Sequence, residues 1–115
     1  MEPETPESVE PLTDVMFRVD PTNDELIAVF PGLNDSYESP QHVVFYVHVG
    51  QHGDASLRGL IRTTRPVRDP ARYADLKAEL ERIGYRLRVV ERATRHHQHA
   101  RYKQWMADRF TVTEG

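Results

Sequence analysis

Two stretches near the start of the chain set the pattern. From Asp14 to Asp20, Val15, Phe17 and Val19 alternate with other residues, the period of two expected of a half-buried strand. Leu26 to Phe30 is continuously apolar and Pro31-Gly32 ends it. Between them Pro21-Thr22-Asn23-Asp24-Glu25 is a turn cluster. The two runs predict an antiparallel hairpin with a loop of about five residues. After a polar loop from Gly32 to Gln41, Val43 to Val49 has β-branched or aromatic residues at six of seven positions. Apolar on both sides, it predicts a central strand.

Gln51 to Val67 has no clean period. Leu57, Leu60 and Ile61 fit one helical turn, with Asp54 or Ser56 as its cap. Gly59 weakens that helix, and Pro66 pushes the residues before it into extended backbone. The expectation is a short helix or an irregular segment. Asp69 to Gly84 is the clearest helix. Asp69 suits the N-cap and Pro70 the first helical position. Tyr73, Leu76, Leu80 and Ile83 form one apolar stripe, and Gly84 can take the left-handed conformation past the end. Tyr85 to Glu91 alternates again, with Tyr85, Leu87 and Val89 opposite Arg86 and Arg88, as in a half-exposed strand. Ala93 to Phe110 predicts a second helix, capped by Thr94, with Tyr102, Trp105, Met106 and Phe110 as its core stripe. Thr111 to Gly115 is expected to fray.

The expected fold is α+β: an antiparallel or mixed sheet of about four strands, in the order β-β-β-α-β-α, packed by one or two helices. A single domain over 13–110 is preceded by an acidic tail over 1–12. There Pro3, Pro6, Pro11 and four glutamates leave nothing to bury, which predicts disorder.

The 115 residues suffice for one modest core. With no cysteine, disulfide scaffolds, thiol catalysis and Cys-type zinc sites are excluded. The longest apolar run is far too short to span a bilayer. The first residues have neither a basic nor an apolar region of a secretory signal, so a cytoplasmic protein without a membrane partner is expected.

Net charge is −3, but it is unevenly spread. Through Ala55 there are eleven acids against one base, Arg18, giving −10; from Ser56 onward fourteen bases against seven acids give +7. Such asymmetry implies either a basic binding face beside an acidic one, or two halves that neutralise each other on folding. Thirteen of the fifteen bases are arginine, the residue that pairs bidentately with carboxylate or phosphate.

Six histidines fall in two groups: His42, His48 and His52, then His96, His97 and His99. His48, His52 and Asp54 combine imidazole and carboxylate ligands within seven residues, a candidate zinc site. His96 and His99 are expected to share a helix face. His52, Asp54 and Ser56 supply the residue types of a hydrolytic triad, yet no Gly-x-Ser-x-Gly elbow is present. A turn with Asp54 or Ser56 capping a helix is the simpler reading. In the second half a basic segment of Arg82, Arg86, Arg88, Arg92, Arg95, Arg101, Lys103 and Arg109 has Tyr85, Tyr102 and Trp105 interleaved, the composition of a nucleic-acid face.

Val49-Gly50-Gln51-His52-Gly53 with Ala55-Ser56, then Thr64-Arg65-Pro66, then Tyr73-Ala74, Glu79-Leu80 and Ile83-Gly84-Tyr85 resemble a small uncharacterised family found on bacterial phages and plasmids. The similarity spans Val43 to Arg92. The resemblance carries no catalytic residues with it. It implies a mobile-element accessory role, such as binding a host protein. Within it the turn of Gly50, Gln51, His52 and Gly53 is the best candidate for a role beyond packing, unless Gly50 and Gly53 serve positive φ.

Together these readings lead to a small non-enzymatic protein that binds a host macromolecule, a protein partner first. The candidate binding residues are His48, Gln51, His52 and Asp54, with Arg86, Arg88, Arg92 and Arg95. A nucleic-acid binder using the Arg-rich half is the alternative, and a zinc-dependent hydrolase the second. Open sheet edges also leave room for a homodimer.

Overall fold

A computed structural model of the chain describes residues 12–36, 38–47 and 50–114, with side chains through Arg109. The expected acidic tail therefore lies outside the described residues, as does His48, except for Leu12 at the tail's end. The elements are β1 (Thr13–Asp20), β2 (Glu25–Phe30), β3 (His42–Val47), β4 (Gln51–Ser56), α1 (Leu57–Thr63), β5 (Arg65–Pro66), α2 (Pro70–Arg82), β6 (Leu87–Val89) and α3 (Arg95–Glu114). The α+β expectation holds, with six strands among the described residues rather than about four. Their order is β4-β3-β2-β1-β5. Neighbours on that path are antiparallel, whereas β6 joins the first residues of β1 in parallel.

The β1–β2 hairpin forms as its alternation predicts, with a loop one residue shorter than expected, because Glu25 already pairs with Asp20. Asp20 builds the turn by accepting from the Thr22 amide and hydroxyl. Asp24 takes the left-handed conformation at φ 60°, which Asp tolerates better than most residues.

β1 is not half-buried: Val15, Met16, Phe17, Arg18 and Val19 are all buried, because both faces of the sheet are covered. On one face Val15, Phe17, Phe30 and Tyr46 pack against Tyr73, Leu76 and Leu80 of α2. The Phe17 and Tyr73 rings stack with centroids 4.1 Å apart. On the other face Met16, Ile27, Val29 and Val43 meet Leu57 and Leu60 of α1. α2 starts as its sequence dictates: Asp69 accepts from the Ala71 amide at 3.0 Å and Pro70 opens the helix. Its stripe ends at Leu80, however, and Ile83, at the C-cap, is exposed.

The segment after β3 departs from expectation. Gln51 to Ser56 is a full strand paired with β3 from Val47↔Gln51 to His42↔Ser56, not helix or irregular chain. Gly50, at φ 91°, makes the turn. Gly53 has no positive φ; its reason is close approach, since a Cβ there would lie 2.7 Å from Cζ of Phe45. The short helix does follow, and Ser56 rather than Asp54 caps it, accepting from the Gly59 amide at 3.2 Å.

The larger surprise is α3. It begins at Arg95, with the Thr94 hydroxyl before it accepting from the His97 amide at 3.4 Å, and it continues through Glu114, past the expected end. The side it turns to the domain is polar: His97, Arg101 and Gln104, spaced i, i+4, i+7. His97 Nε2 lies 2.7 Å from Asp14. Arg101 is buried and donates to the carbonyls of Pro31 and Pro40 at 2.7 and 3.1 Å. Gln104 donates to the Gly32 carbonyl and accepts from the Asn34 amide, both at 2.9 Å. The expected core stripe does not enter the core: Tyr102 is exposed and Trp105 and Met106 are half-buried. Trp105 instead sits 6.0 Å from the Tyr102 ring and carries the Arg109 guanidinium 4.4 Å over its face. Phe110's side chain lies outside those described.

Candidate functional site

α1 and α3 stand on either side of the start of β3, and Gln41 lies between them. Its carbonyl accepts from the Leu57 amide at 3.2 Å. The space between the helices forms two adjoining hollows of about 360 and 380 Å³ that share Gln41, Gln98 and Arg101 as a common wall. α3 adds Arg95, His99 and Tyr102 to one of them. α1 adds Leu57, Arg58, Ile61 and Arg62 to the other. Helical periodicity aims these side chains together: Arg58 and Arg62 are four apart, as are Arg95 and His99.

Charge distinguishes this groove from the rest of the molecule. Four arginines line it, and among the described residues no Asp or Glu does. Arg101 is held by carbonyl oxygens alone, so its charge is not cancelled locally; burial pushes its pKa down, yet a guanidinium stays charged. Arg95 occupies the first turn of α3, which contains no acid. A cation at the positive end of a helix macrodipole opposes the usual preference, and here the two positive fields add at the mouth of the groove. Ile61 and Tyr102, 41% and 48% exposed, are two of the five exposed large hydrophobic residues among those described. Both line this groove.

Elsewhere the opposite charges do meet. Arg88 donates to both carboxylate oxygens of Asp14, and Arg72 pairs with Asp24. Mutual neutralisation of the two halves therefore accounts for part of the asymmetry. Arg58, Arg62 and Arg95 have no such partner among the described residues.

The residues singled out from the sequence are dispersed. Arg95 lines the groove. Arg88 is committed to Asp14, whose carboxyl is held below its ordinary range by that guanidinium, assisted by His97 and opposed by burial. Arg86, just before β6, and Arg92, in the loop before α3, are exposed but outside the groove. Gln51 is exposed at the start of β4. His52 and Asp54 share a separate hollow of about 290 Å³ beside β4, also lined by Asp35 and Tyr85. They do not pair: His52 Nε2 lies 3.0 Å from the Tyr85 hydroxyl, and Asp54 lies 3.0 Å from His42 Nδ1. With Ser56 serving as a helix cap, His52, Asp54 and Ser56 form no chain. His96 and His99 do not converge either, since they line different hollows. Among the described residues no group of three His, Asp or Glu is placed to hold a metal ion, and His48 lies outside those residues.

Beside His52, the Tyr46 hydroxyl donates to Glu79, which raises its pKa above the ordinary phenol value, and burial raises that of Tyr85. The residues that sequence reasoning missed are Arg58 and Arg62, whereas Arg101 stood in the basic run and His99 in the second histidine group. The i, i+4 spacing of Arg58 with Arg62 was the available signal.

No family model matches the chain, and neither does any curated protein or solved structure, so the site is read from its own geometry. No helix among the described residues is long and apolar enough to cross a membrane.

Proposed function

We propose that this protein is a recognition module without catalysis of its own, binding an anionic macromolecule in the groove between α1 and α3. The observation that carries the reading is the carboxylate-free lining that holds Arg58, Arg62, Arg95 and Arg101 in a chain of net charge −3. A positive recess within low-dielectric walls focuses its field and draws polyanions. Among the described residues no carboxylate lines the groove, so the attraction is directed there rather than spread over the surface. An accessory role for a mobile element, acting on a host macromolecule, suits a domain this small.

Retention on immobilised heparin tests the reading. The wild-type protein elutes at higher salt than the charge-reversed R58E/R62E variant. Because both side chains are exposed on α1, the variant is expected to keep its fold, checked by its thermal melt. Equal elution of the two proteins would overturn the proposal.

A further inference from the structure

We infer that the occupant of the groove is a single, unpaired nucleic-acid strand; this rests on the groove being an anion site, as proposed above. Three features select it. First, each hollow has the volume of a small-molecule site, about one nucleotide's worth, and the two adjoin through Gln41, Gln98 and Arg101. A chain of linked units can occupy both. Second, the cations sit on both walls, with Arg58 and Arg62 on α1 and Arg95 on α3. A strand passing between the helices meets a guanidinium on each side of its backbone. Third, the groove contains the exposed ring of Tyr102 beside Arg95 and His99. A base stacks on such a ring only when unpaired, since a duplex keeps its base faces covered. An acidic peptide would use the arginines and leave the aromatic face without a complementary partner. The amides of Gln41 and Gln98 both donate and accept hydrogen bonds, as base edges require.

Fluorescence anisotropy with the full chain tests this. The probes are a short labelled single-stranded oligonucleotide, the same sequence as a duplex, and a labelled polyglutamate peptide. The single strand is expected to bind tightest. Its log–log salt dependence should have a slope of about −2, from three arginines at roughly −0.7 each. R58A and R62A should each make the slope shallower by about 0.7. Tyr102→Ala should weaken binding by about 5- to 150-fold, the range of one lost stack, and Tyr102→Trp should restore it. If polyglutamate or the duplex binds as tightly as the single strand, or if Tyr102→Ala changes nothing, this inference fails while the anion groove stands. Should no probe bind at low salt, both fail together.

Discussion

His97 and Asp14, eighty-three positions apart in the chain, meet at 2.7 Å between Nε2 and a carboxylate oxygen. The other ring nitrogen, Nδ1, accepts from the Thr94 amide at 3.0 Å, so the ring proton resides on Nε2 and is donated to Asp14. One side chain thus closes the first turn of α3 and fastens it to β1. Removing it should loosen the helix that forms one wall of the groove. His97→Ala is expected to destabilise the fold by about 1.5–3 kcal/mol, the worth of a hydrogen bond to a charged group, read from urea unfolding midpoints.

The same contact sets a pH dependence. Arg88, with help from His97, lowers the folded-state pKa of Asp14 beneath the unfolded value of about 3.9. Between the two values the unfolded chain binds the extra proton, so stability rises with pH there. The contribution is complete above the unfolded value and is lost as pH falls through the folded one. Asp14→Asn should abolish that part of the acid limb while lowering stability at neutral pH. Denaturant melts across the acid range check this; an unchanged acid limb would refute it.

Gly53 is expected to tolerate no side chain, because its missing Cβ would fall 2.7 Å from Phe45 Cζ and the ring packs on the α1 side of the core. Gly53→Ala should cost about 1–3 kcal/mol, as overpacked sites do. In a Phe45→Leu background the same change should cost less, because the opposing ring is gone. Additive effects in the double mutant would show that the clash is not the cause.

Arg18 is buried without a carboxylate. Its Nε donates to the Thr64 hydroxyl at 2.6 Å, and its Nη2 reaches the carbonyls of Thr64 and Ile61 at 3.0 and 3.3 Å. Those carbonyls lie at the negative end of α1, where a cation is favoured. Arg18→Met should destabilise by about 1.5–3 kcal/mol. Combining it with Thr64→Val should cost less than the sum of the two single changes, because each leaves the other's partner unsatisfied. Thermal and urea melts of the three variants supply the cycle.

Tyr46 and Tyr85 should ionise late in an alkaline titration followed by phenolate absorbance. The Glu79 carboxylate disfavours a charge on Tyr46, and burial disfavours one on Tyr85. Both folded values lie above the unfolded value of about 10, so their contribution is full below it and fades as pH climbs through the folded values. Tyr46→Phe and Tyr85→Phe should each delete one late step from the folded protein, whereas in the unfolded protein the same phenol is lost from the ordinary step at about 10.

The parts legible in the sequence were those where local chemistry and tertiary packing agree. Asp69-Pro70 starts α2 and Gly84 follows its end, and Val15, Phe17 and Leu26–Phe30 announce the hairpin. β4 was hidden because Gln51, His52, Gly53 and Asp54 have little strand propensity; the ladder to β3 and the Phe45 ring over Gly53 make it a strand. The inner side of α3 was hidden for a different reason. Hydrophobic periodicity finds apolar stripes, and this helix docks through His97, Arg101 and Gln104 onto backbone groups and one acid. Of the groove, Arg95 and Arg101 were legible from the basic run. Arg58 and Arg62 were masked by the uncertain helix that bears them, and their meeting with α3 depends on contacts between residues far apart in sequence.

α1 leaves β4 at one edge of the sheet and delivers the chain to β5 at the other. Ser56 fixes its beginning, and Thr64, bound by Arg18, fixes its end. The helix thus links the β4 margin of the sheet to β1 and, through the chain, to β5, across the twist that paired strands share. Any change in that twist must shift Arg58 and Arg62 relative to α3, and a molecule gripped between the helices would in turn stiffen the sheet beneath it.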